Sequence, residues 1–228
     1  MPTPAIRPLP SHQSVTLRAW LVVLCGALCA LLASPTIAQA EENIVRLPLA
    51  DGFDYPVGPP DAKGYRKARG FWPNGHLGDD WNGVGGGNTD LGDPVYSIGV
   101  GYVVLSGDMR KGWGNTVIIR HAYQDPPSGR IKVVDSFYTH LDKIMVKKGQ
   151  HVERGQKIGT IGTNRGMYLA HLHFEVRKNI YVGMHRTKYK RDFSIYWDPT
   201  DFIKKHRSLP KRFNKKVKVK INTFQPYK

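Results

Sequence analysis

Residues 71–203 break into short apolar, β-branched or aromatic runs punctuated by Gly and Asn-Gly, and this pattern limits what the chain can fold into. Residues 95–104, 116–120, 134–141 and 172–176 are such runs, and no long segment carries a sustained 3.6-residue apolar period with helix caps. This is strand-and-turn chemistry. The fold class expected is mostly β, built from antiparallel strands. Residues 146–162 (VKKGQHVERGQKIGTIG) fit the same scheme: Val146, Val152, Ile158 and Ile161 mark short strands, and Gly149, Gly155, Gly159 and Gly162 mark turns. Residues 41–70, with Pro48, Pro56, Pro59 and Pro60, read as an irregular N-terminal arm lying on the domain.

The first forty residues differ from the rest. Their only charges are Arg7 and Arg18, an uncharged run AWLVVLCGALCALLA fills 19–33, and Ala38-Gln39-Ala40 precedes Glu41-Glu42. A basic start, a short apolar run and a small-x-small site describe a signal peptide over 1–40. The run is shorter than the ~20 residues of a spanning helix; retention as an anchor is the alternative. Both cysteines, Cys25 and Cys29, fall in this run, so cleavage after Ala40 leaves a secreted or periplasmic protein with neither disulfides nor thiolate ligands. Any metal must then sit on His, Asp or Glu. Without Arg7 and Arg18, 32 basic side chains face 18 acidic ones, a net charge of +14. The excess suits an anionic partner, and the secretory segment argues for envelope polymers over nucleic acid. The tail 204–228 holds ten Lys or Arg and no acid, and its KKVKVKI stretch could form an edge strand. Solvated tail and adhesive element are equally good readings of it.

Three local patterns carry chemistry. In Ala170-His171-Leu172-His173-Phe174-Glu175-Val176, strand alternation puts Leu172, Phe174 and Val176 on an apolar face and His171, His173 and Glu175 on the other. The two imidazoles then stand ~6.5 Å apart, far enough for one to hold a metal and the other to reach a substrate. In Asn74-Gly75-His76-Leu77-Gly78-Asp79-Asp80, the glycines favour a turn over a helix. His76 and Asp80 are suitable zinc donors there. In Ser136-Phe137-Tyr138-Thr139-His140-Leu141, Tyr138 and His140 would share a strand face. Singly, each pattern also fits an ordinary surface loop or a satisfied core histidine.

Together, in this order, they resemble the lysostaphin/LytM-type zinc endopeptidases. The likeness rests on His-x-Gly-x-Asp at 76–80, Tyr-x-His-Leu at 138–141, His-Leu-His-Phe-Glu at 171–175, the glycine turns of 146–162, and Asp198-Pro199 before Phe202-Ile203. It covers about residues 71–203. The resemblance implies a β-sandwich-like domain with a duplicated hybrid motif. It implies one Zn2+ held by His76, Asp80 and His173, with a fourth position open to water as in catalytic sites. His171 and His140 match the family's non-ligand histidines. His171 is assigned as base, and His140 as oxyanion stabiliser or acid to the leaving amine, the two roles being exchangeable. The implied reaction is hydrolysis of peptide cross-links in peptidoglycan. Its rivals are a regulator that activates other wall hydrolases, as members lacking metal ligands do, and a wall-binding module.

Asp79 is the rival ligand to Asp80, expected to be solvated or behind the ligands. Glu175 could orient a ligand histidine or form a plain salt bridge. Trp72, Trp81, Tyr138 and Tyr168 could line a groove or pack in the core. His121 and His151 are expected to be structural or exposed, and His185 and His206 are given no role. The sequence departs from the family in the long glycine-rich loop after Asp80 (81–93), in Met167-Tyr168-Leu169-Ala170 before His171, and in eighteen residues between Asn179 and Asp198. All three should border the groove.

Overall fold

The computed structural model describes residues 43–210 and 215–227. The apolar run 19–33 and the cleavage site after Ala40 lie outside the described residues. No helix of the described residues is long and apolar enough to cross a membrane.

In the unit Ile44–Lys228, the strands are β1 (Ile44–Pro48), β2 (Tyr65–Arg69), β3 (Asp79–Gly83), β4 (Pro94–Tyr96), β5 (Gly101–Asp108) and β6 (Asn115–Gln124). They continue with β7 (Ile131–Ile144), β8 (His151–Val152), β9 (Lys157–Ile161), β10 (Leu172–Arg177), β11 (Tyr196–Trp197) and β12 (Lys216–Lys220). A ten-stranded sheet has the order β2-β3-β10-β7-β6-β5-β8, with β11 on β10 and with β9 joining β7 to β4. β1 and β12 form a separate two-stranded sheet. All these strand pairings are antiparallel, as the punctuated runs predict. One short helix, α1 (Pro199–Lys205), starts where the Asp198 side chain accepts from the Asp201 amide at 3.0 Å. It buries Phe202 and Ile203.

The lead-in is more regular than expected, and the tail forms the strand that its KKVKVKI stretch allowed. The lead-in 41–70 carries β1 and β2, and Phe53 within it is fully buried against His121, Tyr123 and Phe202. The tail supplies β12, which pairs residue by residue with β1. Its apolar positions Val217 and Val219 pack with Leu47, Leu49 and Ala122. Alternation of Lys with Val gives that strand one dry and one wet face.

The sheet is covered on both faces. Leu172, Phe174 and Val176 enter the main core with Tyr138, Ile158, Ile161 and Phe202. On the other face, Ile118, Phe137 and Val104 pack under Met184 and the tail residues Ile221, Phe224 and Tyr227. Arg120, fully buried, ties this cover down. It forms a two-pronged pair with Asp135 at 2.7 Å and donates to the carbonyls of Lys220 and Ile180. Removing one partner of such a pair leaves a buried charge alone. Arg120→Met should therefore lower unfolding free energy by about 3–5 kcal/mol, measured by urea denaturation.

His121 is also fully buried. Its Nδ1–H donates to the Val100 carbonyl at 2.9 Å and its Nε2 accepts from the Ser136 hydroxyl at 2.7 Å, so the ring is held neutral. Burial pushes its pKa down from 6.5 to about 4. An imidazole depressed on folding stabilises fully above its unfolded pKa and loses that contribution as pH falls through the folded value. Stability should decline between pH 6.5 and 4 by about 3 kcal/mol from this residue. Urea titrations across that window should show a flatter profile for His121→Gln; an unchanged slope would refute the assignment.

Candidate metal centre

β10 is the central element of the site. It pairs with β3 so that His173 lies opposite Asp80, and with β7 so that His173 lies opposite Thr139. Directly opposed residues share a face of the sheet, so Asp80 and His173 project together. His76 arrives from the turn before β3. That turn crosses close over β10 at Gly78, where a Cβ would collide with the Phe174 carbonyl. Glycine is therefore required for His76 and Asp80 to reach the same spot without a helix.

The three predicted donors converge. His76 Nε2 lies 3.0 Å from Asp80 Oδ1 and 3.0 Å from His173 Nδ1, and His173 Nδ1 lies 2.8 Å from the same carboxylate oxygen. Their tautomers follow from what stands behind them. His76 Nδ1 faces the Gly70 carbonyl at 2.9 Å, which can only accept. His173 Nε2 faces the Glu175 carboxylate at 3.1 Å. Each outer nitrogen thus carries a hydrogen, and in its neutral form each ring turns a bare lone pair inward. Three lone pairs within 3.0 Å of one another repel unless a proton or a metal cation lies among them. The donor set, two imidazoles and a carboxylate, suits a divalent transition ion.

Electrostatics points the same way. Burial opposes protonation of His173, but the hydrogen bonds and charges of Asp80 and Glu175 outweigh it and push the ring up to about 9. Burial would raise Asp80, yet His173 and His76 hold it well below the usual carboxylate range. The centre therefore draws positive charge. Glu175 is fully buried and takes both roles read for it: it accepts from His173, and its other oxygen accepts from Arg177 at 2.6 Å. Burial alone would raise it; Arg177 and then His173 bring it down to about 2. Arg177 continues the chain to the Gly183 carbonyl and stacks on Phe137 at 4.0 Å.

His140 and His171 stand beside the donors, with ring centroids 4.9 Å apart and His140 5.9 Å from His173. His171 Nδ1–H donates to the Leu169 carbonyl at 2.8 Å and His140 Nδ1–H to the Trp113 carbonyl at 3.2 Å. In the neutral form of each ring, Nε2 is then bare. Burial, then the neighbouring His173 and His171, lowers His140 to about 3. A cavity of about 590 Å³ joins these four histidines and Asp80.

The expectation that Tyr138 and His140 share a face is corrected. Tyr138 is fully buried in the core beside Phe174, and its hydroxyl accepts from the Ile98 amide at 3.0 Å. His140 instead faces the cavity. The register between β6 and β7 shifts from Asn115–Leu141 to Val117–Tyr138, so Thr116 opposes two residues. This bulge breaks the alternation, and His140 takes φ +63°. The Trp113 carbonyl holds it there, accepting from the Thr139 hydroxyl at 2.5 Å and the His140 amide at 3.0 Å.

Asp79 is neither solvated nor turned to the metal centre. It is fully buried and accepts from Thr200 at 2.6 Å, with Lys67 at 3.7 Å; burial raises it to about 6. Of the four aromatics considered for the groove, Trp81 and Tyr138 belong to the core, Tyr168 lines the cavity, and Trp72 packs on His76 at 5.3 Å. His121 and His206 are buried, and His151 is exposed. Sequence reasoning missed Trp113, His185, Arg186 and Tyr227 on the cavity wall. No spacing linked them to the histidine patterns. The expectation that the 180–197 insertion borders the groove was a signal for His185 and Arg186 alone.

Residues 80–184 match the profile of Peptidase family M23. The peptidoglycan DD-endopeptidase ShyB of Vibrio cholerae is 44% identical over 90 residues, covering 39% of this chain and 18% of that protein. The lipoprotein NlpD of Yersinia enterocolitica is 35% identical over 86 residues, covering 38% of this chain and 78% of that protein. The murein hydrolase activator NlpD of Salmonella dublin is 32% identical over 113 residues, covering 46% of this chain and 27% of that protein. Apart from the Yersinia protein, the chain spans well under half the length of these relatives. With this match beside the converging donors and their flanking histidines, and with a relative matched over most of its length, this chain belongs to peptidase family M23.

Proposed function

We propose that the protein is a zinc endopeptidase of the bacterial envelope that hydrolyses peptide bonds in the cross-links of peptidoglycan. The observation that carries this reading is the full set of three inward-facing donors beside two further histidines with free Nε2 atoms, all on one cavity. His76, Asp80 and His173 would hold the ion. A bound zinc supplies Lewis-acid activation of the scissile carbonyl and of a water.

The protein's own groups do the rest. Glu175 and the Gly70 carbonyl fix the ligand tautomers, and Arg177 keeps Glu175 ionised. His171 is partly exposed, so solvent can share a charge formed on it. Its Nε2 takes the proton of the attacking water and returns it to the leaving amine. His140 enters the reaction neutral and with Nδ1–H engaged. It first accepts a hydrogen bond at Nε2 and can donate to an oxyanion or amine only after gaining a proton. Exchange of these two roles leaves the proton count unchanged. The net charge of +14 beyond residue 40 favours peptidoglycan and other anionic envelope polymers as partners.

A second reading, a regulator of other wall hydrolases, is favoured by relatives that carry the name murein hydrolase activator. Digestion of purified sacculi separates the two. The zinc-loaded wild type should release soluble muropeptides. His173→Ala should abolish release, and His171→Ala should slow it by about 100- to 10,000-fold. Release that survives His173→Ala would rule out this mechanism. No release by wild type, with stimulation of a second hydrolase, would establish the regulator.

Glu175→Gln tests the support behind His173. A carboxamide can no longer balance Arg177 or hold His173 Nε2–H as strongly. Affinity for zinc should fall by about 10–100-fold, measured by competition with a chromogenic chelator. Unchanged affinity would remove Glu175 from the centre.

A further inference from the structure

We propose that the groove binds a carboxylate of its peptide substrate on the guanidinium groups of Arg69 and Arg186, an inference that rests on the peptidase reading of the same cavity. Both arginines line that cavity. Arg69 lies over the Trp72 ring at 4.9 Å, and Trp72 packs on His76 at 5.3 Å. Arg186 lies over the Trp113 ring at 4.9 Å, and Trp113 packs on His173 at 6.3 Å. Each arginine thus lies over a tryptophan whose ring neighbours a ligand imidazole at a tilt. Each guanidinium is one aromatic ring removed from the centre of reaction.

Neither guanidinium has a carboxylate partner among the described residues. Asp80 is the only acid on the cavity wall, and it is committed to His76 and His173. The groove therefore presents positive charge with no carboxylate among the described residues to satisfy it. Stacking on a ring face fixes the plane of a guanidinium and leaves its N–H edge free, the edge that binds a carboxylate with two parallel hydrogen bonds. A neutral or basic peptide would leave that edge unused.

The wall that carries Arg186 is built in advance. Arg177 donates to the Gly183 carbonyl, Met184 is buried, and His185 Nε2 lies 3.2 Å from the Pro226 carbonyl of the tail. The insertion and the tail thus brace one another beside the cavity. Arg69 and Arg186 both fall outside the stretch 80–184 that matches the family.

The test uses the full chain, metal-free for binding and zinc-loaded for turnover. The probes are a synthetic peptidoglycan stem tetrapeptide with free carboxylates and the same peptide with every carboxylate amidated. By calorimetry the wild type should bind the acid form at least about tenfold more tightly, as expected for charge-assisted hydrogen bonds. Arg69→Gln and Arg186→Gln should each erase most of that preference, Arg→Lys should keep part of it, and the remote Lys218→Gln should keep all of it. In turnover of cross-linked muropeptides the Gln variants should raise KM more than they lower kcat. If one variant fails to fold by circular dichroism, the other and the Lys forms still decide. Equal binding of both peptides by wild type, binding of neither, or a preference that survives both Gln substitutions would overturn the proposal. A preference without any hydrolysis would keep the carboxylate site and reject the endopeptidase; hydrolysis without a preference would do the reverse.

Discussion

Three lone pairs held face to face dominate this protein. His76, Asp80 and His173 approach within 3.0 Å of one another, and hydrogen bonds behind the rings hold an N–H outward on each imidazole, so that the inward nitrogens are left for a cation. Such an arrangement is unfavourable until a cation occupies it. The sheet register, the glycine turn at Gly78 and the buried Glu175–Arg177 pair all serve to keep it in place.

Holding that arrangement has a structural consequence. His173, Glu175 and Arg177 alternate along one face of β10, and a charged pair on an open sheet face would be solvated and loose. Here the face is covered by the 180–197 insertion and by residues 221–227, with Phe137, Met184 and Phe224 around the ion pair. Burial strengthens the coupling between these charges because little water screens them. The same cover forms a wall of the cavity and carries Arg186 into it. Burial of the ion pair and the wall of the cavity are thus supplied by the same segments.

Much of the site was legible before the fold was known. Gly-punctuated runs without helical period gave an antiparallel β class, and His76, Asp80, His140, His171 and His173 were singled out from spacing and family likeness. Alternation along 171–176 correctly separated the apolar residues from the histidines and Glu175. The same rule failed at 138–140. One extra residue in β7 moves His140 to the cavity while Tyr138 stays in the core. Local alternation cannot reveal a bulge, because the bulge is held by the Trp113 carbonyl of a separate loop. The strand in the lead-in was illegible, and the edge strand read in the tail lacked a partner, for a related reason: β1 and β12 pair only with each other in their sheet.

The sequence alone determined the chemistry available: no cysteine beyond residue 29, a strand with histidines on its polar face, a glycine turn carrying His76 and Asp80, and a strongly basic chain. These are properties of residue type and short spacing. Tertiary structure decided which nitrogen of each histidine is free, that Asp79 is buried while Asp80 joins the centre, and that Arg69 and Arg186 flank it. Each of those outcomes depends on a hydrogen-bond or packing partner distant in the chain. Such partners are chosen by strand register and by the burial of whole segments, which no local pattern encodes.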